Sequence, residues 1–359
     1  MKIGIVTQPL AANYGGILQN YALQTFLIRM GHEPITIRIG KKTYMDYFER
    51  LIIHIIKLLL ARKTVLPEAP YQFKKKQSGM EVFIKNNIKT TPIKRWFESE
   101  DIVKYNIESI IVGSDQVWRP NYNAHIEDMF LNFASNFNIP KIVYAASFGV
   151  NDWVYNNEQT VACKKLIQQF KSVSVREYSA INLCKNYLDR FDAIWVVDPT
   201  MLLNKKDYEL LCSFVPKPKD NFLFAYVLDH NKNITDFIYS KAKGLGLKVV
   251  LLSAGTNARK KDTVESWLSN FRDASYIITD SFHGTIFSLL FQKKFITIRN
   301  ISRGNARFDS LISAFNIHNR FVDINSLEFN NEEIDWDFID NRLDYFRKLS
   351  MNYLHNSLK

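Results

Sequence analysis

One histidine, His283, stands where a predicted strand gives way to a predicted helix. The apolar residues 276–278 predict the strand, and Asp280 and Ser281 form a polar turn before the helical run at 286–291. The start of a helix has unpaired N–H groups and a positive dipole end, so this turn can bind an anion. A histidine beside a bound anion can donate a proton. The alternative is a simple capping turn, in which the histidine only packs nearby.

Two further strand ends carry charged side chains. Asp115 follows the predicted strand at 107–112, and Arg176 follows the one at 173–175. Because the carboxyl ends of parallel strands meet at one edge of a sheet, both are candidates for a common site. The alternatives are that Asp115 caps a helix and that Arg176 forms an ion pair with its neighbour Glu177.

A loop rich in arginine follows the last clear predicted strand, at 296–298. It contains Arg299, Arg303 and Arg307. Guanidinium groups suit phosphate and carboxylate, so the loop is a candidate anion cradle. The alternative is a solvated charged loop.

Two glycines, Gly15 and Gly16, follow the first predicted strand. Residues 3–6 predict this strand, 17–30 a helix and 35–39 a second strand, which together form the opening unit of an α/β sheet. The glycines lack the spacing of a dinucleotide fingerprint, so we expect no nicotinamide cofactor. They lie where ligands bind in such sheets, although a tight turn would also explain them.

The pattern along the chain predicts an α/β protein with two doubly wound, Rossmann-like domains facing a cleft. We place the first domain at 1–205, with a helical insertion at about 43–100, and the second at 206–335. Residues 336–359 predict a C-terminal helix that packs back on the first domain. We expect the site where strand ends of both domains face the cleft.

Three finer assignments concern the second domain. We interpret residues 203–220 as a connector, because they contain a run of alternating proline and lysine. A helix is predicted at 234–243, ended by Gly244. The strand at 296–298 is predicted to be the last of its sheet.

The composition favours a basic protein of a reducing compartment. A net charge of +11 favours anionic partners: phosphorylated metabolites, nucleotide sugars, nucleic acid or an anionic membrane surface. The three widely spaced cysteines, Cys163, Cys184 and Cys212, form no metal-binding pattern and no disulfide framework. The first residues predict a strand and not a signal peptide, so we expect a cytoplasmic protein without a bound metal or cofactor.

One segment, residues 50–63, raises the question of membrane contact. Residues 51–60 are apolar except for His54 and Lys57, but ten residues cannot span a bilayer. One interpretation is a helix packed on the core or on a partner. The other is an interfacial helix on the inner face of the membrane, where the lysines at 74–76 would add to its attraction to anionic lipid.

Six groups of residues, in order along the chain, resemble the polysaccharide pyruvyl transferase family. They are 13–16 with 18–24, 113–118, 174–177, 198–200, 279–285 and 303–309. No single motif is specific, but the ordered set is. The resemblance implies a GT-B-like fold and transfer of pyruvate from phosphoenolpyruvate to a sugar, giving a cyclic ketal across two hydroxyls of a hexose in a surface glycan.

The resemblance also implies three catalytic residues, and we expect the residues around them to bind the donor and the acceptor. The catalytic residues would be His283, Asp115 and Arg176. The donor would be bound by Ser281, Phe282, Gly284, Thr285, Arg303 and Arg307. The cleft on the acceptor side would be lined by Asn13, Tyr14, Gly15, Gly16, Ser114 and Trp118.

In one position the chain departs from the family pattern. Other branches have an arginine where this chain has Ser281, so we expect either that Arg303 or Arg307 meets the donor's anionic groups instead or that the donor sits differently. His283 would be the acid at the donor, and Asp115 the base or the orienter of a hydroxyl. Arg176 would help to clamp carboxylate and phosphate.

The expected partners are phosphoenolpyruvate, as co-substrate, and a saccharide acceptor that is either free or lipid-linked. One alternative function is a glycosyltransferase of the same fold that uses a nucleotide sugar. The other is a non-catalytic anion-binding protein. Nucleic acid is not expected, because the basic residues are spread over the chain and no known nucleic-acid module is present.

Overall fold

The computed structural model describes residues 1–11, 13–40, 44–60, 70–123, 125–253, 263–299, 304–323, 326 and 333–359. Its named strands form two parallel sheets, one in each half of the chain. The prediction of two doubly wound, Rossmann-like α/β domains is therefore confirmed.

The first sheet has six strands in the order β2-β1-β3-β4-β5-β6. They are β1 (Lys2–Val6), β2 (Glu33–Thr36), β3 (Ser109–Val112), β4 (Lys141–Ala146), β5 (Ser172–Val175) and β6 (Ile194–Trp195). The residues of β3 and β4 are all buried, as expected of parallel strands covered on both faces.

The second sheet has five strands in the order β11-β10-β9-β7-β8. They are β7 (Phe222–Val227), β8 (Lys248–Ser253), β9 (Tyr276–Thr279), β10 (Phe295–Arg299) and β11 (Phe321–Asp323). In each sheet the strand order reverses beside the first strand, which lies between the second and the third. Ligands of doubly wound sheets bind at the carboxyl ends of the strands at this switch point.

Helices connect the strands and flank the sheets. They are α1 (Tyr14–Arg29), α2 (Tyr44–Leu59), α3 (Pro70–Asn87), α4 (Glu100–Lys104), α5 (Asn157–Ile167), α6 (Tyr178–Leu188), α7 (Lys205–Leu211), α8 (Lys232–Leu245), α9 (Val264–Asp273), α10 (Phe282–Leu290), α11 (Ala306–Phe315) and α12 (Trp336–Ser357). Helices α2 and α3 lie in the segment predicted as a helical insertion.

The structure corrects four details of the prediction. Helix α1 begins at Tyr14, three residues early, because the Asn13 side chain accepts a hydrogen bond from Gly16 N (3.1 Å) and caps it. Helix α8 continues through Gly244 and ends at Gly246, whose φ of 66° suits a C-cap. The predicted connector contains α7, and β11 extends the second sheet beyond β10.

Helix α12 bridges the two domains. On the first, its Ser350 Oγ accepts a hydrogen bond from Val197 N (3.0 Å), and its Tyr353 hydroxyl donates to the carbonyl of Val143 (2.7 Å). On the second, Arg342 Nε donates to the carbonyl of Ala314 (2.9 Å). The C-terminal helix thus holds the carboxyl-terminal half of the chain to the first sheet.

A single hydrophobic cluster also runs through both domains. At its centre the ring of Tyr14, in α1, stacks on Trp267, in α9, with ring centroids 5.4 Å apart and planes 12° apart. Tyr226 of β7 meets the Trp267 ring edge-on at 5.3 Å. The domains therefore share a packed core beside the cleft.

Candidate active site

A cleft of about 420 Å³ opens between the two domains. Its first-domain wall consists of Gln8, Pro9, Asn13, Asp115, Gln116 and Tyr122. Its second-domain wall consists of Tyr226, Leu228, Asp280, Ser281, Phe282, His283 and Arg307. These residues include those that follow β1, β3, β7 and β9, so the switch points of both sheets face one cleft. Its volume is usual for a small-ligand site.

His283 is the second residue of α10 and lies on the cleft wall. The capping role suggested by the sequence belongs to Ser281, whose hydroxyl accepts a hydrogen bond from Gly284 N (3.3 Å). Asp280 instead accepts from the backbone N–H groups of Leu228 (2.7 Å) and Asp229 (3.0 Å), which fixes the loop after β7. A capped helix start and a histidine at the cleft therefore occur together.

A buried carboxylate, Asp198, lies behind the histidine and joins it to the first domain. Its Oδ2 lies 2.8 Å from Arg176 Nη1, 3.2 Å from Ser114 Oγ and 3.5 Å from His283 Nε2. Its Oδ1 accepts hydrogen bonds from the backbone N–H and the hydroxyl of Thr200. Asp198 thus contacts the histidine from beneath the cleft floor.

Charge keeps Asp198 ionised. Burial alone would raise the pKa of its carboxyl, but His283 and Arg176 outweigh burial and hold the pKa well below its usual range. The same carboxylate and Asp115 outweigh the burial of Arg176 and raise the pKa of its guanidinium. The guanidinium of Arg176 and the carboxylates of Asp198 and Asp115 therefore stabilise one another's charged forms.

Asp115 occupies the opposite wall of the cleft, in the turn after β3. Its backbone has a φ of 78°, and its Oδ1 accepts a hydrogen bond from Gln116 N (2.9 Å). Its Oδ2 accepts from Asn13 Nδ2 (3.3 Å), while Arg176 Nη2 lies 3.4 Å from Oδ1. Asp115 caps no helix, and its carboxylate is held at the cleft surface by three neighbours.

Positive charge also determines the protonation of Asp115. Burial would raise the pKa of Asp115, but Arg176, His283 and Arg307 together lower it. A carboxylate with a lowered pKa is a weak base and a good hydrogen-bond acceptor. Asp115 is therefore suited to accept a hydrogen bond at the surface of the cleft.

Two guanidinium groups pack against the ring of Phe282. The Cζ of Arg176 lies 4.6 Å from the ring centroid and that of Arg307 lies 5.3 Å from it. Burial and the charge of Arg176 lower the pKa of Arg307 to about 10. Among the described residues of the cleft wall, Arg307 is the one arginine, and it lines the same wall as Ser281.

Arg176 has surroundings different from those predicted. Its side chain is almost wholly buried, pairs with Asp198 and Asp115, and does not line the cleft. It does not pair with Glu177, which accepts instead from Gly149 N (2.9 Å). Arg176 therefore supports the two carboxylates from beneath the cleft wall.

Trp118 and Tyr14 are also buried and do not line the cleft as predicted. The indole of Trp118 stacks on Phe130, and its Nε1 donates to the carbonyl of Met129 (3.2 Å). The ring of Tyr14 stacks on that of Trp267. Both rings are buried among other aromatic side chains of the hydrophobic core.

Five further predicted residues do not line the cleft and support the site from within: Ser114, Gly15, Gly16, Gly284 and Thr285. A Cβ at Gly284 would overlap Oγ1 of Thr279, and the hydroxyl of Thr285 donates to the carbonyl of Ser281 (3.1 Å). Gly15 packs against the ring of His283. Arg303 lies outside the described residues.

Asp198 and several cleft residues were not predicted as part of the site. Asp198 follows a predicted strand, as Asp115 does, and this position is the sequence signal that could have identified it as a site residue. The cleft residues without a prediction are Gln8, Pro9, Gln116, Tyr122, Tyr226, Leu228 and Asp280. Gln8 is the second residue after β1, where a ligand contact is common in this kind of sheet.

The sequence pattern of the polysaccharide pyruvyl transferase family matches residues 13–302. No curated protein gives a significant sequence match to the chain.

Solved structures of similar fold include sugar-nucleotide enzymes. The UDP-GlcNAc 2-epimerase of Neisseria meningitidis, bound to UDP-GlcNAc, is 12% identical with a TM-score of 0.50, covering 100% of this chain and 99% of that one. The UDP-N-acetylglucosamine 2-epimerase of Rickettsia bellii is 11% identical with a TM-score of 0.51, covering 100% and 96%. Such likeness concerns the fold alone, and the predicted GT-B-like fold is confirmed.

Proposed function

The chain belongs to the polysaccharide pyruvyl transferase family, and we propose that it transfers pyruvate from phosphoenolpyruvate to a hexose. The acceptor is a surface glycan or its lipid-linked precursor, and the products are a cyclic pyruvate ketal and phosphate. The observation that supports this most is the cleft itself, with His283 and Arg307 on one wall and Asp115 on the other.

The donor belongs on the second-domain wall. Phosphoenolpyruvate carries a phosphate and a carboxylate, and this wall offers the guanidinium of Arg307 and the N-terminal turn of α10. A bound anion would offset the burial and the charge of Arg176, which lower the pKa of Arg307 in its absence. Arg307 thus takes the place of the arginine that other branches have at Ser281.

The acceptor belongs on the first-domain wall. This wall offers the carboxylate of Asp115, the side-chain amide of Asn13, which lies 3.3 Å from it, and the side-chain amide of Gln116. Sugar hydroxyls are donors and acceptors at once, and they suit such a wall. The carboxylate of Asp115 would accept a hydrogen bond from an attacking hydroxyl and orient its oxygen toward the donor.

The proposed reaction balances with His283 as the proton donor. His283 gives a proton to the methylene carbon of the enolpyruvyl group, which becomes a methyl, and two sugar oxygens bond to the adjacent carbon. The bond from that carbon to the phosphate oxygen breaks. One hydroxyl proton restores His283 and the other leaves with the phosphate, so no cofactor takes part.

We place the reaction in the cytoplasm. The three cysteines are buried and unpaired, which suits a reducing compartment.

The test is incubation with phosphoenolpyruvate and acceptors that carry galactose or mannose. Release of phosphate together with a new ketal methyl signal in the proton NMR spectrum is expected. Nucleotide release from a nucleotide sugar, with no use of phosphoenolpyruvate, would assign the cleft to a glycosyltransferase instead. A melting temperature raised by phosphoenolpyruvate, without release of phosphate in the presence of any acceptor, would favour the non-catalytic anion-binding alternative.

A further inference from the structure

Helix α2 exposes an apolar face. Four of its residues, Ile52, Ile55, Ile56 and Leu59, recur at i, i+3, i+4 and i+7 and therefore lie on one face. Each is between 48% and 81% exposed. The sequence left open whether this helix packs on the core, and these exposures show that its apolar face does not.

Such a face marks an interaction surface. Isolated exposed hydrophobic residues are normal, but four large ones on one helix face form a contiguous patch that is costly in water. Lys57, which follows Ile52 by five positions, lies on the other side of the helix and is exposed. An apolar face opposite a charged one is the pattern of a helix that lies in an interface.

The charge of the surrounding segment indicates the partner. Residues 41–89 contain eleven lysines and arginines against four aspartates and glutamates, a net charge of +7 out of the +11 of the whole chain. A second copy of the chain would bring the same positive charge to the same face and would be repelled. A surface of anionic lipid would be attracted.

The helix is suited to lie on a bilayer and not to cross it. It is 16 residues long. Among the described residues, no helix is both long and apolar enough to span a membrane. The partner surface must therefore accept an apolar face from one side.

We propose that α2 docks the protein on an anionic membrane surface, with Ile52, Ile55, Ile56 and Leu59 inserted at the boundary of headgroups and acyl chains. Attraction between the basic segment, residues 41–89, and the anionic lipid brings the helix to the membrane surface. Burial of the apolar face holds the helix there. The inference rests on exposure and charge alone and does not depend on the reaction in the cleft.

Vesicle flotation with the full chain tests the proposal. The protein is expected to float with vesicles of phosphatidylglycerol and phosphatidylcholine, and to do so at least ~10-fold less with phosphatidylcholine alone. The double substitution Ile52→Glu with Ile56→Glu should reduce flotation by at least ~10-fold, because it places two charges on the inserted face.

A matched pair of substitutions serves as the control. Val161 and Phe214 are 70% and 73% exposed and lie outside the basic segment. Val161→Glu with Phe214→Glu should leave flotation unchanged, and circular dichroism should show that both double variants fold. Equal flotation of the two double variants would overturn the proposal. A wild-type protein that does not float and that dimerises through α2 would also overturn the proposal, because the apolar face of α2 would then bind a second copy of the chain.

Discussion

Gly15 of the first domain lies directly against the imidazole ring of His283 in the second. A Cβ built on Gly15 would overlap Nδ1 and Cγ of that ring. The first turn of α1 and the first turn of α10 therefore meet across the domain boundary with no room for a methyl group. The missing side chain at position 15 thus helps to determine where the proposed acid stands.

Gly15→Ala is expected to lower kcat by at least ~10-fold, because the added methyl displaces His283 or separates the domains, and small misplacements in an active site are costly. Gly244→Ala is the matched control. Gly244 also lies in a helix, but an added Cβ would meet nothing within 4 Å. Its activity should be unchanged and its stability higher by about 0.5–1 kcal/mol. Steady-state rates and thermal melting of the two variants check this, and equal activity would contradict it.

His283→Gln is expected to reduce kcat by about 10²–10⁴-fold, the usual contribution of a general acid. The amide can keep a polar contact with Asp198 but cannot deliver a proton. His355→Gln, at an exposed position on α12, should leave the rate unchanged. A His283→Gln protein with the melting temperature and the rate of the wild type would remove the histidine from the mechanism.

Asp198→Asn is expected to lower kcat while KM for phosphoenolpyruvate changes little. The substitution removes the charge that holds Arg176 and faces His283, so it misplaces the proposed acid but leaves Arg307, the proposed binding group for the donor, in place. Loss of one partner of a buried ion pair should also reduce the free energy of unfolding by about 3 kcal/mol. If Asp198 had a purely structural role, the variant would be less stable and less of it would be active. The folded fraction would then keep the kcat of the wild type.

The same variant should show a different dependence of stability on acid. Because the pKa of Asp198 is lowered on folding, its contribution to stability is complete above the unfolded pKa of about 4 and is lost as the pH falls below it. Urea unfolding at pH 7 and below pH 4 should therefore show a smaller loss for Asp198→Asn than for the wild type. An equal loss would show that the folded and unfolded pKa of this carboxyl are the same.

Arg307→Gln is expected to raise KM for phosphoenolpyruvate by at least ~10-fold, because a charged hydrogen-bond partner of the donor is lost. In the wild type, KM should also rise as the pH passes about 10, where Arg307 loses its proton. The variant should lack this rise. Arg29→Gln, at a half-exposed arginine paired with Asp207, is the control and should keep the KM of the wild type.

The sequence was sufficient for the fold because most strands are short, largely apolar runs bounded by turn residues. Elements without that signal escaped prediction. Helix α7 lies in a segment that its prolines marked as a connector, and β11 has three residues. The first turn of α1 was missed because two glycines oppose helix formation, and only the capping bond of Asn13 offsets them.

The site was predictable where a residue follows a strand and unpredictable where a partner comes from elsewhere in the chain. Neighbouring side chains of an extended chain point to opposite sides, so the side chains of Arg176 and Glu177 point apart and do not form an ion pair. Its partner Asp198 lies 22 positions away, at the end of another strand. The contact of Asp198 with His283 depends further on how two domains pack, which no local pattern encodes.

The stack of Tyr14 on Trp267 has a consequence for how the molecule responds to heat. Because one hydrophobic cluster runs through both halves, neither sheet can melt while the other keeps its apolar surface covered. Calorimetry should show a single heat-absorption peak with equal calorimetric and van't Hoff enthalpies. A compound that binds only the second-domain wall would then delay the melting of the first sheet as much as that of its own.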